Sequence, residues 1–214
     1  MSILIKNVLL NNKTTNIYIE NRTISEIGKA VDADKTIEAR NHAAIPGLVN
    51  AHTHSAMTLM RGYADDMELS SWLDKKIWPL EARLKPEDVY AGTRLACLEM
   101  IRTGTTCFND LYWHTSASIK AIQEMGLRAM VAGPIMDRFD EEKAEQQISE
   151  VERLHRMSGT FGPRIKFAIG PHSVYAVSRL TLEWAAEYAK ENSLPVHIHL
   201  AETQKRGQKL PEEE

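Results

Sequence analysis

What this sequence lacks already narrows what it can be. Only two cysteines, Cys97 and Cys107, occur in 214 residues. Two thiols cannot staple a fold of this size, so a reduced, cytoplasmic setting is expected. No stretch approaches the ~18 uninterrupted apolar residues that mark a membrane span. The run from Met1 to Leu10 carries Lys6 inside it, and no cleavage-type site follows, so it reads as a strand and not a secretory leader. An excess of one charge is missing as well: 26 Lys+Arg against 29 Asp+Glu leave a net −3. That balance argues against nucleic-acid binding through a basic surface. Internal repeats and low-complexity linkers are absent. The length allows one large domain or two small ones but falls short of the ~250 residues typical of a closed (β/α)8 barrel.

What is present divides near residue 45. Residues 1–45 read as short β-strands: Ile3-Leu4-Ile5 and Val8-Leu9-Leu10 flank Lys6-Asn7, Asn11-Asn12 signals a turn, Ile17-Tyr18-Ile19 leads to the turn-like Asn21-Arg22, and a short Thr36–Ala39 run closes the series. This is a meander too small to hold a core by itself. From residue 46 strands alternate with helices. Strands are expected at Gly47–Ala51, Thr105–Asn109, Leu127–Ala132, Arg164–Ile169 and Val196–Leu200. Helices are expected at Glu68–Leu84, Glu87–Thr103, Thr115–Met125, Glu141–Met157 and Leu182–Glu191. Five strands with intervening helices predict a parallel α/β sheet.

The eight histidines are not scattered at random. His52 and His54 stand two apart after the apolar Ile45–Val49 segment, and strand alternation points both to one face. Two imidazoles converging from one strand end are what a metal ion requires. His197 and His199 repeat the spacing in Pro195-Val-His-Ile-His-Leu-Ala-Glu202. His199 is nearest the strand's C-terminal end, and Glu202 can reach the same site as an acid–base group. His197 lies one layer deeper and is expected to pack. His172 follows a strand in Gly170-Pro171-His172, and His114 lies in a strand-to-helix loop. His42 and His155 are expected to be solvated.

Pro46–Arg61, Ser71–Leu84, Gly104–Tyr112, Gly170–Tyr175 and Val196–Thr203 together resemble the amidohydrolase superfamily, and within it the deaminases of methylthioadenosine, S-adenosylhomocysteine and 5'-deoxyadenosine. The resemblance implies an α/β fold: the N-terminal five-strand portion of a (β/α)8 TIM barrel over 46–203, preceded by part of a small β-sandwich domain over 1–45 and followed by an atypical polar tail, 204–214. It also implies one divalent metal ion, usually zinc, with His52, His54 and His199 as ligands. Metal-bound hydroxide attacks C6 of the adenine ring in such enzymes, and ammonia leaves. Carried over, Glu202 shuttles a proton to the ring nitrogen, Glu81 and His172 hydrogen-bond the ribose hydroxyls, and Trp72 packs on the nucleoside. Lys166 lies too far back along its strand to serve as the carboxylated lysine of binuclear relatives, so a mononuclear site is expected. Arg138 follows no matching motif and reads as an ordinary surface arginine.

The same resemblance implies that a histidine after strand six and an aspartate ligand after strand eight would lie beyond Glu214. The chain is therefore expected to lack the C-terminal half of the barrel. Five strands cannot close, and the open edges would invite a homo-oligomer or a complementing C-terminal half. Other amidohydrolase chemistry, such as guanine deamination or triazine dechlorination, and a non-catalytic half-barrel are the competing expectations.

Overall fold

A computed structural model describes residues 1–202. The chain divides into two compact units, Met1–Gly47 and the remainder from Leu48. No helix among the described residues is long and apolar enough to cross a membrane.

The first unit is a four-stranded sheet of β1 (Ser2–Leu10), β2 (Lys13–Glu20), β3 (Thr23–Ile27) and β4 (Lys35–Glu38) in the order β3-β2-β1-β4. Both hairpin turns place two consecutive residues in the left-handed region, Asn11 and Asn12 at φ 49° and 62°, then Asn21 and Arg22 at 49° and 70°. Two-residue turns of that kind match the twist of the strands they join, and asparagine tolerates the conformation best. The two apolar runs around Lys6-Asn7 form one strand, with a register shift between Ile5 and Val8 where Asn7 takes φ 58°. β4 departs from a simple meander by lying parallel to β1. Val8, Ile17 and Ala39 form the small core.

The second unit is a parallel sheet of β5 (Leu48–Thr53), β6 (Thr105–Leu111), β7 (Arg128–Ile135) and β8 (Ile165–Pro171), paired in sequence order. Between the strands run α3 (Pro86–Thr103), α4 (Thr115–Met125) and α5 (Glu141–Met157), and α6 (Arg179–Asn192) follows β8. α3 stops at Gly104, whose φ of 86° is the left-handed exit that glycine takes without strain. Asp140 and Ser178 cap α5 and α6, each accepting a backbone N–H three residues on. One face of β6–β8 packs on these helices, with Phe108, Val131, Phe167 and Ile169 against Ile122, Val151 and Leu154. The other face carries Leu111, Ala132 and Ala168. The strands are parallel, so Thr53, Leu111, Ile135 and Pro171 all end on one rim.

Two elements differ from expectation. The helix expected over 68–84 is interrupted: α1 (Leu69–Trp72) and α2 (Trp78–Glu81) flank a π-helical turn, Leu73–Ile77. Pro79 has no amide hydrogen to continue the ladder, and the Trp78 N–H reaches back to Leu73 instead. The expected strand Val196–Leu200 is joined only through isolated bridges, Ile169 of β8 to Val196 and Ser173, just past β8, to His199. It has a ladder partner on one side alone among the described residues. The expected tail, 204–214, lies outside the described residues.

Candidate functional site

His52 ends the exposed part of β5, and His54 follows where the chain bends into a short 3₁₀ turn, Ser55–Met60. His199 arrives from the segment after α6. The structure brings these three together: the Nε2 atoms of His52 and His54 lie 3.4 Å apart, those of His199 and His52 3.1 Å, and those of His199 and His54 3.2 Å. They are the one group of three or more metal-ligating side chains found among the described residues.

The far side of each ring explains why this triangle suits a cation. The His54 Nδ1–H donates to the Leu111 carbonyl at 2.7 Å, and the His199 Nδ1–H donates to the His172 carbonyl at 2.8 Å. In neutral imidazole a proton on Nδ1 leaves Nε2 with a bare lone pair. Burial outweighs the opposing Leu111 hydrogen bond and, with a smaller repulsion from the neighbouring imidazoles, takes His54 down to about 4, so it is neutral at pH 7. When both rings are neutral, their Nε2 lone pairs face each other across 3.2 Å. A proton on His52 could bridge to one of them, not both. A single cation satisfies all three. Tetrahedral zinc with nitrogen ligands at ~2.0–2.1 Å requires nitrogens ~3.3–3.4 Å apart, close to the spacings found. The donor set fits the metal.

The remaining predicted residues line one cavity beside the triangle: Trp72, Glu81, His172 and Glu202 share it with Trp78, Met136 and the histidines. Glu81 is half-buried in the same cavity, and the Trp113 indole N–H donates to its Oε2 at 3.2 Å. Burial raises the Glu81 carboxyl above its usual range, and the hydrogen bond from the Trp113 indole opposes the rise. The Tyr175 hydroxyl donates to Glu202 Oε2 at 2.7 Å. The His172 ring stands 4.7 Å from that of His199, and its Nδ1 lies 3.1 Å from the Ser173 hydroxyl. Trp72 is held by its indole N–H on the Ala64 carbonyl at 2.9 Å.

Four other histidines stand apart. The His197 backbone N–H donates to the Ile169 carbonyl and the ring is half-buried, which lowers its pKa. Its buried Nδ1 has no hydrogen-bond partner among the described residues, so the expected packed, hydrogen-bonded role holds only for the packing. His114 takes φ 50° at the start of α4, and His42 is exposed. His155 corrects the expectation of a solvated residue: it is half-buried, stacked on Phe167, with Nδ1 2.9 Å from the Tyr188 hydroxyl. Arg138 is exposed, as expected, and its guanidinium sits 4.7 Å above the Trp78 ring, a cation–π distance.

Several residues that shape the site carry no motif. Tyr112 and Trp113 set the environment of Glu81, and Asp110 and Leu111 hold the chain around His54. A polar residue at the end of a strand that otherwise reads Thr-Thr-Cys-Phe was the available signal for Asp110.

The fold is thus an open parallel α/β segment with a candidate metal centre at the C-terminal ends of its strands. The amidohydrolase family model matches residues 43–209, and the chain belongs to that family. It is 48% identical over 212 residues to the 5'-deoxyadenosine deaminase of Methanoregula boonei, covering 95% of this chain and 48% of that protein. It is 47% identical over 191 residues to the 5-methylthioadenosine/S-adenosylhomocysteine deaminase 1 of Archaeoglobus fulgidus, covering 89% and 45%. A crystal structure of an adenosine deaminase from Xanthomonas campestris with bound zinc superposes with a TM-score of 0.85 at 31% identity, over 95% of this chain and 50% of that one. A guanine deaminase from C. acetobutylicum superposes at 0.82 with 20% identity, a likeness of fold alone. The chain spans about half the length of the curated relatives it matches.

Proposed function

We propose that this chain carries the metal- and nucleoside-binding part of a hydrolytic deaminase. Its substrate is an adenosine-type nucleoside, namely 5'-deoxyadenosine, methylthioadenosine or S-adenosylhomocysteine, and its products are the inosine analogue and ammonia. The observation that carries the reading is the convergence of three Nε2 atoms beside a cavity that also holds two carboxyl groups. His52, His54 and His199 hold one divalent ion, and an all-imidazole tetrahedral set favours zinc. Such an ion supplies hydroxide at neutral pH by lowering the pKa of its water from ~15.7 to ~7. The protein does the rest. Glu202, oriented by the Tyr175 hydroxyl, passes a proton to the purine ring nitrogen. Glu81, fixed by Trp113, accepts a ribose hydroxyl, and His172 takes part in the same recognition. Trp72, Leu73, Ile77 and Trp78 form an apolar wall that packs on the nucleoside and keeps water out.

The wider reading concerns partners. Leu48, Val49, Val196 and Leu200 stand exposed on the strand edges. We assign their cover to further barrel strands, from a complementing C-terminal half or a second copy. Cys97 and Cys107 are both unpaired, which fits a reduced cytoplasmic setting.

The test is conversion of 5'-deoxyadenosine followed by its absorbance change, with the chain alone and with a complementing C-terminal half from a relative. Glu202→Gln should abolish turnover and leave zinc binding intact. Turnover unchanged in that variant defeats the assigned role, and no turnover of any adenosine derivative in the complemented enzyme defeats the reading.

A further inference from the structure

Beneath the candidate metal centre lies a buried polar chain that none of the assigned roles uses. Asp110, one residue from the end of β6, is completely buried. Its Oδ1 accepts the Ser55 backbone N–H at 2.7 Å, and its Oδ2 accepts the Ser55 hydroxyl at 2.8 Å. The Ser55 oxygen lies 3.0 Å from the Thr93 hydroxyl of α3, which lies 3.3 Å from the Ser118 hydroxyl of α4. Every member of this chain is buried. No ion pair to Asp110 occurs among the described residues. Removing a carboxylate from water without a cation costs several kcal/mol, so its hydrogen bonds must be well made to keep it there.

The position of this network gives it a consequence. Ser55 directly follows His54, and Leu111 directly follows Asp110. Two adjacent residues of β6 thus grip two adjacent residues after β5: the Asp110 carboxylate holds Ser55, and the Leu111 carbonyl holds the His54 ring at 2.7 Å. The packing of α3 closes the grip. A Cβ on Gly92 would stand 2.5 Å from the Ala56 carbonyl oxygen, so only glycine lets α3 come this close, and the Gly92 carbonyl in turn accepts the Thr58 hydroxyl at 2.8 Å. A ligand that must sit within ~0.5 Å of productive geometry needs such support, because β5 itself is exposed along most of its length.

We propose that Asp110 is a positioning residue of the metal centre: by clamping Ser55 through both carboxylate oxygens, it fixes the backbone that aims the His54 imidazole at the metal. The inference rests on the three-histidine zinc reading, and it predicts a change in metal affinity that loss of stability alone does not produce.

The experiment uses the full 214-residue chain. Zinc affinity is measured by competition with a chromophoric chelator, and the geometry of the site by the visible bands of the cobalt-substituted protein. Asp110→Asn keeps the shape and removes the charge, Ser55→Ala removes one hydrogen bond and keeps the backbone one, and Val151→Ala destabilises the same core from α5. Outer-sphere partners typically change metal affinity ~10–100-fold, so Asp110→Asn and Ser55→Ala should weaken zinc by about that factor and shift the cobalt bands. Val151→Ala should lower the melting temperature and hold zinc within about twofold of the parent, since it touches no ligand support. If Asp110→Asn does not fold, Ser55→Ala decides. Parent-like zinc affinity in the folded variants overturns the positioning role alone. A parent chain that binds no zinc overturns both it and the three-histidine reading.

Discussion

β5 and β6 lie side by side in one sheet and live in different surroundings. β5 is exposed from Leu48 to His52, whereas β6 sinks from Phe108 onward, with Phe108, Asp110 and Leu111 buried. The candidate ligands His52 and His54 come from the exposed side, and His199 comes from a segment joined to the sheet only by isolated bridges. Neither segment can hold an imbedded geometry by its own packing. The buried strands do it for them: Leu111, at the end of β6, fixes the His54 ring, and His172, just past β8, fixes that of His199. Reactive side chains stand where solvent and substrate reach them, and the groups that aim them stand one strand inward. This division predicts that a substitution in the apolar part of β6 costs stability, that loss of a ligand beside β5 costs metal affinity, and that Asp110, which joins the two strands, costs both.

The largest effect should fall on the buried strand. Phe108 is 0% exposed in the main core, and Phe108→Ala should cost ~3–5 kcal/mol of unfolding free energy, read by denaturant titration. Next comes His54→Ala, which removes a ligand outright. It should weaken zinc by more than the ~100-fold upper range of an outer-sphere change, or over ~2.7 kcal/mol. Without metal it should lose far less stability than Phe108→Ala, since the half-buried ring gives up one hydrogen bond to Leu111 and no core packing. A His54→Ala chain that unfolds like Phe108→Ala would break the division between the strands.

Asp110 tests the same boundary through pH. Burial lifts its carboxyl to about 6, with hydrogen bonds from Ser55 and Ser118 opposing the rise. The folded chain therefore keeps this proton where the unfolded chain has released it, and its stability falls as pH rises from about 4 to about 6. Asp110→Asn has no such titration. In metal-free protein, the stability advantage of the parent over Asp110→Asn should be greater at pH 5 than at pH 8 by ~1 kcal/mol. An equal difference at the two pH values would mean that the carboxyl is better solvated than its position implies.

How much of this was legible in the sequence follows the same line. The exposed, chemistry-bearing side was readable, because His52 and His54 sit at strand spacing and His199 precedes Glu202 by a short interval. The supporting side was not. Asp110 meets Ser55 across 55 positions, and Trp113 meets Glu81 across 32. Nothing local in Asn-Asp-Leu-Tyr-Trp announces those partners. The parallel order of the strands and their helices was readable from periodicity, but each of β6, β7 and β8 runs two or three residues further than its apolar pattern, because pairing with a neighbour extends a strand past its hydrophobic stretch. The chain is helical from Leu69 to Glu81 as its periodicity predicts, but a π-helical turn at Leu73–Ile77 precedes Pro79, a backbone effect that side-chain periodicity does not register. His155 looked solvated on a charged helix, yet it faces Phe167.

The smallest predicted effect is the most discriminating about surroundings. Val49 on β5 is 68% exposed. Threonine has a similar shape and a similar strand preference, so Val49→Thr in the chain alone should change stability by no more than ~0.5 kcal/mol. The same substitution places a hydroxyl in an apolar setting if further strands cover this face. Burying an unpaired hydroxyl costs ~1–3 kcal/mol, so the penalty should appear once a complementing half is bound. Measured by denaturant titration with and without that half, the difference between the two values reports whether β5 remains an exposed edge or becomes an inner strand. A penalty above ~1 kcal/mol in the chain alone would show that its own copies already cover the edge, and the contrast between β5 and β6 would then belong to the isolated chain and not to the assembled one.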